Sequence, residues 1–447
     1  MNFFILENKI VKNIIWLFFD KILRMGLGVL VSIYLAKYLG PTEYGELSFG
    51  ISFVYFFLVV SMLGMEPILV REITKNPNQT NQIISTSIIL RLFAGTIMFI
   101  LSSIIAFYFY KWSKFLFIFV ISFQLFFQAG DIFGSFFLAR VQSKYVVISR
   151  NTGFIISSIL KLVLILFNVS LLVFAYAILI EFFIALLLLI YFYKKSSLKV
   201  KISYFDKSLA RQLLISSSPL ILSSVFYVIY TKLDIIMIES LSNSEQVGYY
   251  AVANKLSEVW FFIPTIIISS FYSEIIELRN NNYEKFKIRI LELMTVLSFL
   301  SVAIIVFFLF FSKQIIVYFY GLEYVSSVEI FNIHIWSCLI VFSAVVSGVW
   351  YVANDLQKYT FYRTGAGALV NVALNFILIP IYGGLGAAYA TLGAKLLASY
   401  LMNLMNKKTR EVFFLQTESY LNLIKISPVI LHSKSIINNF KKKNNDY

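Results

Sequence analysis

The chain has 447 residues, of which 59% are hydrophobic and only 14% charged, with a mean hydropathy of +0.81 and a net charge of +15. Soluble domains carry roughly 25% charged residues, so this composition excludes a water-soluble fold. A single cysteine, Cys338, excludes an internal disulfide, and two histidines, His334 and His432, leave no Cys/His cluster for a metal. No phosphate-binding lysine loop or dinucleotide glycine fingerprint is present, so neither ATP hydrolysis nor a cofactor is expected.

Crossing a hydrocarbon layer takes roughly 20 apolar residues in a helix. Runs of that length are predicted at 14–37, 44–64, 83–109, 115–139, 151–169, 171–193, 213–239, 250–274, 289–311, 329–353, 363–382 and 384–405. They are continuously apolar rather than alternating, which selects helices over a β-barrel. The first is too long and too polar for a signal-peptide core and is expected to be retained. Only Asn168 and Ser170 mark the turn between the fifth and sixth. The stretch 421–432 contains Lys425 and Pro428 and is too short to cross.

The basic residues fall in every second connection. With the N-terminus in the cytoplasm, 27 Lys and Arg lie in inside segments, and only Lys37, Lys111, Lys114 and Lys313 lie outside. This positive-inside bias places both termini in the cytoplasm. The basic excess therefore reflects topology and attraction to anionic lipids, not nucleic acid.

The two halves echo each other. Gln142, Tyr145, Arg150 and Gly153 match Gln357, Tyr359, Arg363 and Gly365, and Ala175–Ala177 matches Ala388–Ala390 (both AYA). The expected architecture is two six-helix lobes, 1–193 and 213–405, related by a pseudo-two-fold axis along the membrane normal. A basic cytoplasmic linker, 194–212, joins them, and a basic cytoplasmic tail, 406–447, follows.

Charged residues inside spans cost about 2.5–3.5 kcal/mol each on insertion scales, so they mark cavities or partners. The candidate cations are Lys21, Arg24, Arg91, Lys161, Lys232, Lys255 and Lys395; the carboxylates are Asp20, Asp131, Glu181, Asp234 and Glu258. This balance predicts a cationic cavity suited to an anionic ligand such as phosphate. Asp20, Glu181, Asp234 and Glu258 are candidate ion-coupling groups. Plainer readings stand beside these: Lys255 snorkels to headgroups, Asp131 caps a cytoplasmic helix end, and Asp20–Arg24 is a structural pair at i, i+4. Pro219 and Pro264 are kink candidates, and His334 and Cys338 fit a core better than a ligand set.

The segments Leu39–Gly45 (LGPTEYG), Arg71–Ile73, Asp234–Ile238, Val247–Ala251, Asn375–Pro380 and Tyr382–Thr391 carry a resemblance. Over residues 10–405 the chain resembles polysaccharide-repeat-unit flippases of the Wzx type. These lie within the multidrug/oligosaccharidyl-lipid/polysaccharide exporter superfamily. The resemblance implies an all-α, MATE-like integral membrane protein of about 12 transmembrane helices. It implies a transporter rather than an enzyme, in a bacterial cytoplasmic membrane. Its substrate would be an undecaprenyl-pyrophosphate-linked oligosaccharide moved from inner to outer leaflet by ion-coupled alternating access. A glycan polymerase and a chain-length regulator are the implied protein partners. By depth, Arg24, Arg91, Lys161 and Lys395 match the cavity cations that would hold the pyrophosphate. The loop residues Gly40, Pro41, Gly45, Gly383, Gly384 and Gly386 would shape turns. A lipid II flippase of the same superfamily, with fourteen spans, and a drug antiporter with a carboxylate-dominated cavity are the alternatives.

Overall fold

The computed structural model describes residues 2–196 and 201–425; His432 and the end of the 421–432 stretch lie outside them. Every regular element among the described residues is helical. Among the described residues, ten helical stretches are long and apolar enough to cross a membrane. Two places account for the difference from twelve. The stretch Ile15–Lys75 contains both of the first two predicted spans, and the predicted span 384–405 is not among the ten.

Close packing divides the chain into two units, Met1–Ile236 and Met237–Tyr447. In the first, α1 (Asn2–Ser61) is two helices joined at Gly40, whose φ of 67° and ψ of 173° leave the helical region just before Pro41. Glycine tolerates that positive φ, and proline cannot donate the hydrogen bond that would continue the first helix. Beyond α2 (Glu66–Lys75) and α3 (Thr80–Phe109), the fourth predicted span is broken into α4 (Trp112–Ser122), α5 (Gln124–Gln128) and α6 (Asp131–Ala139). The helices α7 (Ser143–Leu166) and α8 (Leu171–Lys194) then pair closely. Gly153 lies against the Glu181 carbonyl, where a Cβ would overlap it, and Ser157 Oγ donates to Ala177 O at 2.7 Å. Small residues permit this approach, as is common between membrane helices. Within the unit, Met65, Ile84, Phe136, Tyr193 and Leu213 belong to one apolar core.

The connection before α9 (Lys207–Leu241) is fastened to α3. Gln82 Nε2 donates to Asp206 Oδ2 at 2.8 Å, and Asp206 N donates to Thr86 Oγ1 at 3.1 Å. Asp206 Oδ1 also accepts from Leu209 N at 2.8 Å, capping α9. Asp206→Ala is expected to cost about 1 kcal/mol through the lost cap alone. The readouts are a lower melting temperature of the solubilised protein and faster protease cleavage of the linker. Packing keeps α9 with the first unit as far as Ile236. The reason is local. Gly64, at φ +56°, brings the α1–α2 turn against the backbone of Leu220 and Ile221, beside Pro219.

The second unit contains α10 (Ser244–Glu258), α11 (Phe262–Asn281), α12 (Tyr283–Tyr320), α13 (Ser327–His334), α14 (Ser337–Ala353), α15 (Gln357–Tyr382) and α16 (Gly384–Leu396). A 3-10 turn at Val259–Phe261 interrupts the eighth predicted span just before Pro264. Past α16, a π-turn at Leu397–Leu401 leads into α17 (Met402–Met405). Part of the predicted tail is structured: α18 (Arg410–Leu421) packs on α12 and α17. Its Gln416 Oε1 accepts from Asn403 Nδ2 at 2.6 Å, and its Tyr420 hydroxyl lies 2.7 Å from Ser343 Oγ. Asn403 Oδ1 in turn accepts from Tyr351 Oη at 2.7 Å and Arg363 Nη1 at 3.1 Å. Residues 426–447 of the tail lie outside the described residues.

Candidate functional site

Seven charged residues of the first unit line two cavities. The larger, about 450 Å³, is lined by Asp20 and Arg24 from α1, Gln128 and Asp131 near the α5–α6 break, Arg150 from α7 and Glu181 from α8. Arg24 connects three helices. Its guanidinium pairs with Asp20 at 3.3 Å and with Glu181 at 3.5 Å, donates to Asn151 Oδ1 at 3.2 Å and to Arg150 O at 2.9 Å, and lies 5.0 Å from the Phe154 ring. Beside it, Arg150 pairs with Asp131 at 3.2 Å. These groups are only partly shielded, so water or a ligand can compete for them.

The smaller cavity, about 370 Å³, is lined by Tyr55, Gly64, Glu66, Arg91, Ser223, Ser224 and Tyr227 among others. Arg91 is 2% exposed, yet its Nε and Nη1 atoms have no hydrogen-bond partner. Glu66, Asp131 and Arg150 are the charges that act on it. A buried guanidinium with unmet donors is costly. Its placement on a cavity is what an incoming oxyanion would satisfy.

Asp20, Arg24, Arg91 and Glu181 are therefore brought to these cavities. Lys161, half-buried on α7, is acted on by Glu181 but is outside both linings. Lys21 is exposed, although it is next to Asp20 in sequence. Asp234 is buried and Lys232 half-buried on α9, away from both linings. In the second unit, Lys255 and Glu258 are half-buried on α10, and Lys395 is buried 5.0 Å from the Phe261 ring. His334 and Cys338 are fully buried in that unit's core.

One expectation changes within the first unit. Asp131 faces the larger cavity and pairs with Arg150 rather than serving only as a helix-end cap. The lining of the larger cavity has three carboxylates (Asp20, Asp131, Glu181) against two guanidiniums (Arg24, Arg150). Arg150, Asn151 and Glu66 were not singled out as site residues from sequence. The matching of Arg150 with Arg363 in the repeat was the one available signal.

A family model described as "Polysaccharide biosynthesis protein" matches residues 10–273, more than half of the chain. The chain belongs to the polysaccharide biosynthesis protein family. A second model, MatE, matches residues 219–377 of this family member. No curated protein is a significant match. Among solved structures, one described as the lipid II flippase MurJ in an inward closed conformation is similar at TM-score 0.70 and 16% identity, over 97% of this chain and 99% of that one. An inward-facing multidrug resistance MATE family transporter is similar at TM-score 0.69 and 14% identity, covering 92% and 99%. A MOP superfamily transporter from Pyrococcus furiosus is similar at TM-score 0.62 and 13% identity, covering 93% and 96%. These likenesses establish a MATE-like fold, and with the ten apolar helices they make the polysaccharide biosynthesis family member a multi-pass membrane protein.

Proposed function

We propose that the protein is a flippase for undecaprenyl-pyrophosphate-linked oligosaccharide, working by ion-coupled alternating access. It would act from the inner to the outer leaflet of a bacterial cytoplasmic membrane, with both termini in the cytoplasm. The lobes would be 1–193 and 213–405, with a glycan polymerase and a chain-length regulator as neighbours. The observation that carries this reading is Arg91, whose unpartnered donors border a cavity and suit phosphate oxygens. Arg24, held by Asp20 and Glu181, is the second proposed substrate-binding cation. Lys21, Lys161, Lys232, Lys255 and Lys395 remain proposed accessory cations. Asp20, Glu181, Asp234 and Glu258 remain proposed coupling carboxylates. Family membership supports a polysaccharide pathway.

The test is made on lipid extracts from cells lacking the gene, with and without its restoration. Undecaprenyl-pyrophosphate-linked oligosaccharide is expected to accumulate in the inner leaflet, shielded from an impermeant glycosidase, and to be exposed once the gene is restored. Unchanged lipid and unchanged surface glycan would overturn the reading.

The carboxylate majority around the larger cavity favours a second reading, a cation-coupled drug antiporter. Cation-dependent dye efflux from vesicles containing the purified protein would support it.

A further inference from the structure

We infer that the two cavities of the first unit are compartments of one site, and that the larger selects a neutral or amino sugar over an acidic one. The inference rests on the lipid-linked glycan reading above. Tyr55 and Met62 line both cavities. A ligand whose phosphate is held at Arg91 can therefore place the adjoining sugar past these two side chains, beside Asp131 and Arg24.

The chemistry there differs from that at Arg91. Both arginines of the larger cavity are already engaged, Arg24 by Asp20 and Glu181, and Arg150 by Asp131. Three carboxylates against two guanidiniums leave one surplus negative charge. Carboxylate oxygens accept hydrogen bonds from sugar hydroxyls and attract a sugar ammonium group. A uronate group would instead bring a fourth carboxylate into a partly desolvated space, where like charges placed together repel. The volume of about 450 Å³ lies within the usual range for a ligand pocket, about 300–1,000 Å³. Selectivity would therefore come from repulsion of the wrong ligand as much as attraction of the right one.

The experiment uses the full chain in lipid nanodiscs and isothermal titration with three soluble probes: glucosamine 1-phosphate, N-acetylglucosamine 1-phosphate and glucuronic acid 1-phosphate. The uronate probe is expected to bind at least about tenfold more weakly than the other two. Asp131→Asn should narrow that gap by strengthening the uronate alone, and Asp20→Asn, on a different helix, should make the same change. Arg91→Gln should weaken all three probes alike. Equal binding of the three probes, with Arg91→Gln still weakening all of them, would overturn the sugar selectivity while leaving the phosphate compartment standing. A preference for the uronate would overturn the selectivity as well. Binding of none would overturn the phosphate compartment, and the selectivity with it.

Discussion

Arg91→Met is expected to abolish surface glycan while leaving the protein as stable as before or more so. The two outcomes have one cause. Arg91 is almost fully buried, and its Nε and Nη1 atoms have no partner. Unmet buried donors cost about 1–3 kcal/mol, more for a charged group. Methionine fills much of the same space without that cost and is adaptable in shape. Loss of a counter-charge for Glu66 and Asp131 offsets part of the gain. The net expectation is an increase in stability of about 1 kcal/mol, read as a higher melting temperature of the purified protein. Glycan output, measured in the same strain at matched protein level, should fall to that of the gene deletion. A variant that unfolds would show that Arg91 is a structural counter-ion. Normal glycan output would remove it from the site.

Gly153→Val is expected to have the largest effect on folding. A Cβ at Gly153 would overlap the carbonyl oxygen of Glu181, and the amide nitrogen of Ala185 is also within 3.4 Å. The obstacle is helix backbone, which cannot rotate aside as a side chain can. The α7–α8 pair would have to separate, taking with it the bond from Ser157 to Ala177 and the placement of Glu181 against Arg24. Overpacking typically costs about 1–3 kcal/mol, and occasionally more; backbone contact puts this site at the upper end. The readout is the fraction of protein recovered as a monodisperse peak after extraction. Gly365→Val, at a position where a Cβ meets nothing within 4 Å, is the matched control expected to extract normally.

Hydropathy reveals depth, and depth was enough to place most of the helices. It does not reveal which way a residue faces around a helix axis. Asp20, Lys21 and Arg24 share one short stretch of α1, but successive residues are turned about 100° apart. Lys21 therefore points outward, while Asp20 and Arg24 meet the cavity. The same limit hid the Asp131–Arg150 pair, since Asp131 opens α6 and Arg150 falls just before the predicted span at 151, where loop charges are expected. Arg91 was legible because a charge so far inside an apolar run demands a reason. The α18 helix was not, since Glu411, Gln416 and Glu418 make it too polar to register as buried. The kinks were half-legible: Gly40 and Pro41 announce theirs, whereas the π-turn at Leu397–Leu401 has no comparable marker.

The α18 network also sets an order of assembly. Asn403 and Ser343 precede Gln416 and Tyr420 in the chain, so the partners that α18 supplies to them are made last. Until α18 docks, those polar groups must be served by water or by one another, at a site that ends fully buried. The second unit is thus held short of its final packing during synthesis. That leaves a window in which a nascent chain could be recognised as unfinished by membrane quality control.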